Sequence, residues 1–379
     1  MKIPRLDRIA ITFGFGFGSL LFAAALSGCS GSPASYSPPA PLSNPSMTGR
    51  PAADTAVRAW SRSLIRVPLP SAGCFKASYP AIGWSRVACA KAAPPRPIPP
   101  PSGNVTPAVI GDGHDLALSV SPQLISTAIG SFPEVSGVKH VRTVGVRAFG
   151  KGCVCGKAYS LQLNSNTYPT TDCGKNPQCT GWEQFVYATP VNTTVKTAEV
   201  FIQDWRIRTT STSLKCPPKH SGWAANGGDC YYNSPGIEVP AIPISQLGQM
   251  SLSGSAASSG DSAFLTVGTT VYGMKNMQDD LMDLDRNWTG AEFNIVGDCC
   301  GSRANFNAGS KITVSIEADD GSTAVPACLT NKGTTAESNS LSFVAAPSNA
   351  PKQQYPSILF TEGSTPGSAA PSCDTLAGL

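Results

Sequence analysis

Two stretches of the sequence combine an amide with acids and large rings, the side chains that hydrolysis or ligand binding requires. They are residues 181–187 (GWEQFVY) and residues 200–206 (VFIQDWR). Successive residues of a strand point to opposite faces, so Gln184 shares a face with Trp182. Two interpretations stay open: the rings pack a core while the polar groups face solvent, or a concave sheet face holds a sugar or a peptide.

A third stretch, residues 287–298 (NWTGAEFNIVGD), places a carboxylate and an amide on one side of a strand. Alternation puts Glu292 and Asn294 on one face, with Asp298 further along it. A carboxylate and amide that face a second amide, such as Gln184, form a candidate hydrolytic pair. The carboxylate would activate water, and the amides would stabilise the oxyanion.

At these stretches the chain resembles the glutamic endopeptidases, or eqolisins, which are acid-active β-sandwich proteases. Residues 182–185 lie where the strand with the catalytic glutamine is expected, and residues 200–205 resemble the aromatic-acidic strand that follows it. Residues 287–296 are similar to the strand that carries the catalytic glutamate. The resemblance extends from about residue 135 to residue 320. It implies that Gln184 polarises the scissile carbonyl.

The chain departs from the family at three other catalytic positions. The family's catalytic glutamate lies four residues after the first glutamate of its strand, which here corresponds to Val296, while Glu292 corresponds to the first. The family's active-site tryptophan and aspartate fall near Ser160 and Asn164. The hypothesis of activity therefore depends on Glu292 or Asp298 replacing the missing glutamate from the same face.

Two functions follow as hypotheses. The first, which we favour because it needs no catalytic acid, is a binding protein for carbohydrate or peptide, with flat rings and directional amides. The second is an acid-active endopeptidase relative that uses Gln184 and Glu292. The residues expected to line the groove in the first case are Trp182, Tyr187, Trp205, Asn164, Asn294 and Asp298.

Other constellations predict less. A Ser/His/Asp site is not predicted, because the sequence has three histidines (His114, His140 and His220) but no G-x-S-x-G motif to supply the serine nucleophile. The acidic residues 279–285 lack the glycine and the final glutamate of a calcium loop, which favours a solvated acidic turn. A thiolate site from Cys153, Cys155, Cys173 and Cys179 fits no common zinc spacing. We therefore predict neither a metal nor a cofactor.

The first 28 residues are typical of a bacterial lipoprotein signal peptide. A basic start is followed by the uncharged apolar residues 9–26, and residues 26–29 (LSGC) match the site for processing and acylation. Lipid on Cys29 would hold the chain at a membrane of the cell envelope, at the outer membrane or the periplasmic face. The alternative is an uncleaved membrane anchor; in both cases the remaining chain lies outside the cytoplasm.

Cysteine number and charge agree with export. Of the thirteen cysteines, twelve remain after Cys29, an even number that predicts up to six disulfides. Cys74/Cys89 and Cys216/Cys230 are the expected local pairs, and the adjacent Cys299 and Cys300 should bond to different partners. Only 14% of the residues are charged, the formal net charge is +4, and no basic stripe occurs, so nucleic acid is an unexpected partner.

The remaining pattern predicts an all-β fold. Short runs that alternate apolar and polar residues, with turn residues between them, favour an antiparallel two-sheet β-sandwich, of the concanavalin or glutamic-peptidase type. Residues 54–66 are predicted to form a short helix. The predicted strands are 116–120, 138–148, 158–164, 184–188, 199–207, 250–253, 263–267, 290–296, 311–317, 341–345 and 357–360.

The predicted segments are a signal peptide (1–28), a Ser/Pro-rich tether (29–51), a small cysteine-containing module ending in a proline-rich segment (52–103), the β-sandwich (104–365) and a tail (366–379).

Overall fold

The structure is a computed structural model that describes residues 50–91, 116–144, 156–190, 197–218, 221–276, 282–298, 302–330, 335, 338–345, 353–365 and 370–379. One α-helix, α1 (Arg50–Ile65), precedes the strands. The strands are β1 (Gly73–Ser78), β2 (Ser85–Val87), β3 (Leu116–Ser119), β4 (Thr127–Ser136), β5 (Val141–Val144), β6 (Ser160–Ser165), β7 (Cys179–Ala188), β8 (Thr197–Arg208), β9 (Ala224–Asn226), β10 (Asp229–Asn233), β11 (Ile237–Pro240), β12 (Met250–Ser255), β13 (Ser262–Val267), β14 (Thr270–Lys275), β15 (Gly290–Val296), β16 (Arg303–Phe306), β17 (Lys311–Asp319), β18 (Ala327–Thr330), β19 (Ser338–Asn339), β20 (Ser342–Val344), β21 (Ser357–Gly363) and β22 (Asp374–Leu376). Short 3₁₀ turns occupy Thr171–Cys173, Ile244–Gln249 and Leu284–Arg286.

Two large antiparallel sheets contain most of these strands. The first, which we call the helix-side sheet, has the order β2-β1-β14-β13-β12-β4-β17-β21-β20, with β22 paired to β21. The second, which we call the amide sheet, has the order β18-β3-β15-β6-β7-β8-β10-β9, with β11 paired to β8. A small third sheet joins β19, β16 and β5. This arrangement confirms the predicted all-β, two-sheet sandwich.

Two rings of the amide sheet mark the face that packs against the helix-side sheet. A Cβ on Gly254 of β12 would lie 2.3 Å from the ring of Phe185, and a Cβ on Gly130 of β4 would lie 2.1 Å from the ring of Phe293. Glycine is therefore required at both positions for the sheets to approach this closely. Since Phe185 and Phe293 face inward, the residues next to them in sequence face away from the core.

Helix α1 covers the outer face of the helix-side sheet. Trp60 and Leu64 pack in a separate apolar cluster with Phe264 of β13. The Arg62 guanidinium forms an ion pair with Glu317 of β17, a residue that is fully buried. Burial raises the pKa of Glu317 above its ordinary value, and the nearby charge of Arg62 lowers it by less.

The cysteine-containing segment after the helix belongs to the same sheet. β1 pairs with β14 along its whole length and with β2 on its other edge. Residues 73–87, which the sequence assigned to a separate small module, thus extend the helix-side sheet. The pairing buries Cys74 and Phe75, whose apolar side chains have no other core to enter.

Four disulfides connect described residues: Cys74–Cys89, Cys173–Cys179, Cys216–Cys230 and Cys328–Cys373. Both expected local pairs are confirmed. The Cys173–Cys179 bond removes two of the four ligands from the thiolate alternative. Disulfides of this number place the folded chain in an oxidising compartment outside the cytoplasm. Within the described part of the chain, the one long helix is too short and too polar to cross a bilayer.

Several sequence predictions lie outside the described residues. These are the signal peptide and Cys29, the tether up to residue 49, the proline-rich residues 94–101, Cys153, Cys155, Cys299, Cys300, His114, His220 and residues 279–281.

Candidate functional site

Five polar side chains form one row across the outer face of the amide sheet. The strand register aligns Glu292 of β15 with Asn164 of β6, and Asn164 with Gln184 of β7. The same register continues from Gln184 to Gln203 of β8 and from Gln203 to Asn233 of β10. We call these five residues the polar row. It brings together Gln184, Glu292 and Asn164, three of the residues that the sequence analysis named as site candidates.

The first three members are joined by hydrogen bonds. Asn164 Nδ2 donates to Glu292 Oε2 at 3.1 Å, and Gln184 Nε2 donates to Asn164 Oδ1 at 3.0 Å. Each of the three residues is at most 2% exposed. A buried carboxylate is tolerated only with hydrogen-bond donors nearby, and Asn164 supplies one.

The direction of these bonds is the one that an ionised glutamate requires. An ionised carboxylate only accepts, so Asn164 must turn its NH2 group to Glu292 and its carbonyl to Gln184. Gln184 Oε1 is then turned away, and it has no hydrogen-bond partner within the described part of the chain. A proton on Glu292 allows every direction to reverse, so that Gln184 would present its NH2 group instead. The protonation state of Glu292 therefore decides which group Gln184 presents.

The far end of the polar row is oriented by a tryptophan. Trp205 Nε1, which can only donate, contacts Gln203 Oε1 at 2.7 Å. Gln203 Nε2 in turn donates to Asn233 Oδ1 at 2.6 Å. Gln203 and Asn233 are positions that the sequence analysis missed as site residues. Gln203 lies in the aromatic-acidic stretch that did give a signal, whereas the short strand with Asn233 gave none.

Apolar side chains flank the polar row on both sides. Trp182 lies 6.3 Å from Trp205, and Trp205 stacks on Tyr231 at 5.1 Å between ring centroids. On the opposite side, Val186 and Phe201 form a small apolar cluster. Low polarity on both sides strengthens electrostatic interactions within the row.

The rings do not line an open groove, which corrects the expectation for Trp182, Tyr187 and Trp205. All three side chains are fully buried. Trp182 Nε1 donates to the carbonyl of Ser165 at 3.0 Å, so its one polar group is already used. Tyr187 faces the sandwich interior, where its hydroxyl accepts from the backbone N–H of Ile242 at 2.9 Å. Rings with internal partners and no exposed area are packing residues in this conformation.

Asn294 and Asp298 also lie apart from the row. Asn294 turns its amide to Glu362 of β21, 3.3 Å away. Asp298 is buried. Its charge contributes to the rise in the pKa of the Tyr187 hydroxyl, for which burial is the largest cause. Strand alternation could not predict these two positions. Asn294 lies near the end of β15, where Glu362 of β21 approaches it, and Asp298 lies beyond the end of that strand.

Two further acids are buried on the inward face. Glu183 lies directly opposite Asp204 across β7 and β8, and each is about 1% exposed. Tyr232 is the next residue across, and its pKa is raised by burial and, to a smaller degree, by the charge of Asp204. These acids face the core, on the opposite side of the sheet from the polar row.

One acid of the acidic residues 279–285, Asp283, has a structural role as a hydrogen-bond acceptor. Asp283 adopts a left-handed conformation (φ 61°), and its carboxylate accepts from the backbone and the hydroxyl of Thr171. Partial burial raises the pKa of Asp283, but hydrogen bonds from Thr171 and Thr170 lower it overall. The carboxylate thus fastens two loops together. Of the three histidines, only His140 is described, and it is exposed.

Comparison of the chain with protein-family models and with curated proteins gave no match in either case.

Proposed function

We propose that the chain is an acid-active hydrolase of the glutamic-endopeptidase type, in which Glu292 and Gln184 perform the chemistry. The observation that supports this most is the register Glu292–Asn164–Gln184, with its hydrogen bonds of 3.1 Å and 3.0 Å. It sets the carboxylate and the glutamine on one sheet face, separated by a single amide. The family's glutamate position, Val296, lies two rows further along the same face and pairs with Ser160.

The proposed reaction depends on a reversal of the hydrogen-bond directions between Glu292, Asn164 and Gln184. Ionised Glu292 accepts a proton from a water molecule as the water oxygen bonds to the scissile carbonyl carbon. Once Glu292 is protonated, Gln184 turns its NH2 group to the oxyanion and stabilises it. Glu292 then returns the proton to the leaving nitrogen as the C–N bond breaks. Asn164 is a positioning residue that links the two groups.

Burial sets a condition on this proposal. Glu292, Asn164 and Gln184 are each at most 2% exposed, so a polypeptide reaches them only in a conformation that exposes this face. The ring cluster of Trp182, Trp205 and Tyr231 would then border the opened site and contact apolar side chains of the substrate. An opening step of this kind is common in enzymes and limits the turnover of many.

Cleavage of a denatured protein over pH 2.5–7 tests the proposal. We expect cleavage in the acidic range in which carboxyl groups titrate, because Glu292 must both accept a proton and give it back, and little at neutral pH. Gln184→Ala should lower the rate by about 100-fold or more, the effect expected for loss of an oxyanion donor. The matched control is Gln246→Ala, since Gln246 is an exposed amide in a 3₁₀ turn. Absence of cleavage at every pH by a folded sample contradicts the proposal. Retention on a glycan or peptide array without cleavage would instead favour the binding hypothesis.

We also propose that the chain is exported and anchored through a lipid on Cys29. The apolar residues 9–26 followed by LSGC support this, and so does the oxidising compartment that the disulfides require. The anchor is tested by fractionating cells that express the wild type or Cys29→Ser. The wild type should stay with membranes and incorporate labelled palmitate, and the variant should do neither. Equal membrane retention of both chains would contradict the anchor.

A further inference from the structure

From residue 55 onward the helix and first hairpin carry positive charge without any acid, whereas Asp54 lies near the start of α1. Residues 55–91 contain six basic residues and no Asp or Glu. Of these six, only Arg62 has its charged group within 4 Å of a carboxylate of a described residue, and the guanidinium of Arg66 lies over the ring of Tyr355. The other four are Arg58, Lys76, Arg86 and Lys91. This part of the surface therefore attracts anions more strongly than the small net charge of the chain implies.

An apolar tip protrudes from the same segment. Ile82 is 83% exposed, Val67 45% and Tyr79 41%. Across the described residues only seven large apolar side chains are exposed, so three of them lie within sixteen residues here. Pro80, Ala81 and Gly83 are exposed as well, which makes residues 79–83 an uncharged turn (YPAIG).

Two tryptophans hold this tip in place. Trp60 Nε1 donates to the carbonyl of Ala81 at 2.6 Å, and Trp84 Nε1 donates to the carbonyl of Val67 at 3.3 Å. The Trp60 ring also meets the Tyr79 ring edge-on at 5.6 Å. The turn is thus fixed to the end of α1, and its apolar side chains remain exposed because the fold holds them there.

We propose that this tip, Val67 with residues 79–83, docks on the headgroup layer of an anionic phospholipid bilayer. A protruding apolar turn on a segment with an excess of basic residues suits a surface that is negatively charged outside and apolar beneath. Trp84 is partly exposed at its base, a position that suits the interface preference of tryptophan. The inference goes beyond the proposed hydrolase activity.

The chain's connectivity favours this partner over a second protein. α1 begins at Arg50, twenty-one residues after Cys29. If Cys29 carries a lipid, the segment between them, which the sequence predicts to be a tether, would hold the domain within about 25 Å of the bilayer on average.

Vesicle binding by the exported chain carrying Cys29→Ser tests the tip without any lipid anchor. We expect sedimentation with vesicles of phosphatidylglycerol and phosphatidylcholine (about 3:7) but not of phosphatidylcholine alone, and weaker binding in high salt. Ile82→Ser should weaken binding about tenfold, because it removes one inserted aliphatic side chain. Val325→Ser, at a 58% exposed valine outside the tip, is the matched control and should leave binding unchanged.

Three results of the vesicle experiment would overturn the inference, and a fourth comes from sedimentation velocity. They are absence of binding to the anionic vesicles, equal binding to both vesicle types, and equal loss for Ile82→Ser and Val325→Ser. If Ile82→Ser instead converts a dimer in sedimentation velocity to a monomer and leaves vesicle binding unchanged, the tip is a contact between copies and the inference fails. None of these results depends on Gln184, Glu292 or acylation, so failure here is separate from failure of the proposed function.

Discussion

Glu292 lies at one end of a row whose other members are amides. A buried carboxylate without donors costs several kcal/mol, and such groups are normally hydrogen-bonded. Asn164 meets this need because its amide donates to Glu292 and accepts from Gln184 at the same time. An asparagine at position 164 can therefore donate to a carboxylate, which an ionised acid at this position could not do.

Asn164→Asp tests this role. It replaces the donor with a second carboxylate beside Glu292, and two adjacent buried carboxylates do not both ionise. We expect the free energy of unfolding at pH 7 to fall by about 3 kcal/mol or more, within the range for an unpaired buried charge. The loss should shrink near pH 4, where one of the two binds a proton and donates to the other. Urea unfolding at both pH values measures this, and an equal loss at both would contradict the role.

At the scale of elements, the helix is fastened to its sheet by one buried ion pair. Arg62 is partly exposed while Glu317 is fully buried, so removal of the arginine leaves an uncompensated charge inside. The raised pKa of Glu317 means that the folded state binds more protons than the unfolded state between pH 4.5 and the folded pKa. The free energy of unfolding therefore falls as the pH rises through that window.

Arg62→Met should raise the pKa of Glu317 further and lower the free energy of unfolding by about 3–5 kcal/mol at pH 7. The loss should be smaller below pH 4.5, where Glu317 is protonated in both states. The double variant Arg62→Met with Glu317→Leu should recover most of the stability, since it leaves no charge behind. Guanidinium unfolding at the two pH values measures all three. A double variant that is less stable than Arg62→Met would show that the pair itself is the main stabilising contact.

The close approach of the two sheets depends on glycine at two strand positions. Gly130→Ala places a Cβ 2.1 Å from the ring of Phe293, so the ring or the strand must move. We expect a loss of about 1–3 kcal/mol or more, the usual cost of overpacking. Gly83→Ala, where no atom lies within 4 Å, is the matched control. Thermal unfolding measures both, and an unchanged midpoint for Gly130→Ala would contradict the described packing.

The strand pattern predicted the all-β class and half of the described strands, and its failures have local reasons. β15 begins and ends where residues 290–296 alternate, and each predicted strand overlaps an observed one. β4 was missed because Gly130 and Pro133 weaken its strand pattern. Gly130 occurs there because the ring of Phe293 leaves no space for a side chain. The helix was predicted at 54–66 and occupies Arg50–Ile65, an ordinary difference at helix ends.

The site was predictable in its registers but not in its exposure. Gln184, Asn164 and Glu292 meet because β15, β6 and β7 are neighbours in the sheet. Alternation assigns a residue to a face, but it does not say whether that face is covered. For this reason the burial of Trp182 and Trp205 could not be read from the sequence.

At the scale of the whole molecule, disulfides fasten segments that the sheets hold less firmly. Cys328 lies in β18 at one edge of the amide sheet, and its partner Cys373 lies just before β22 of the other sheet. This bond closes a long segment, with 45 residues of separation, whereas Cys173–Cys179 spans 6. In the chain-entropy account, a longer closed loop restricts the unfolded state more.

Paired replacement of each bridge by alanine tests that account. Loss of Cys328–Cys373 should lower the free energy of unfolding by about 4 kcal/mol, and loss of Cys173–Cys179 by about 2 kcal/mol. Urea unfolding of the two double variants, under conditions that keep the other bridges oxidised, gives the comparison. A larger effect of the short bridge would show that native contacts, rather than loop length, set the contribution.

The central claim is that Glu292 acts on a substrate from its place in the polar row. Its most direct test is the initial rate of cleavage of a denatured protein near pH 4 by the wild type, Glu292→Gln and Glu134→Gln. Glu134 is an exposed glutamate on β4 of the other sheet and serves as the matched control. We predict that Glu292→Gln loses cleavage by about 100-fold or more while it folds normally, and that Glu134→Gln cleaves as the wild type does. Equal rates for the two variants, or no cleavage by the wild type, would contradict the claim.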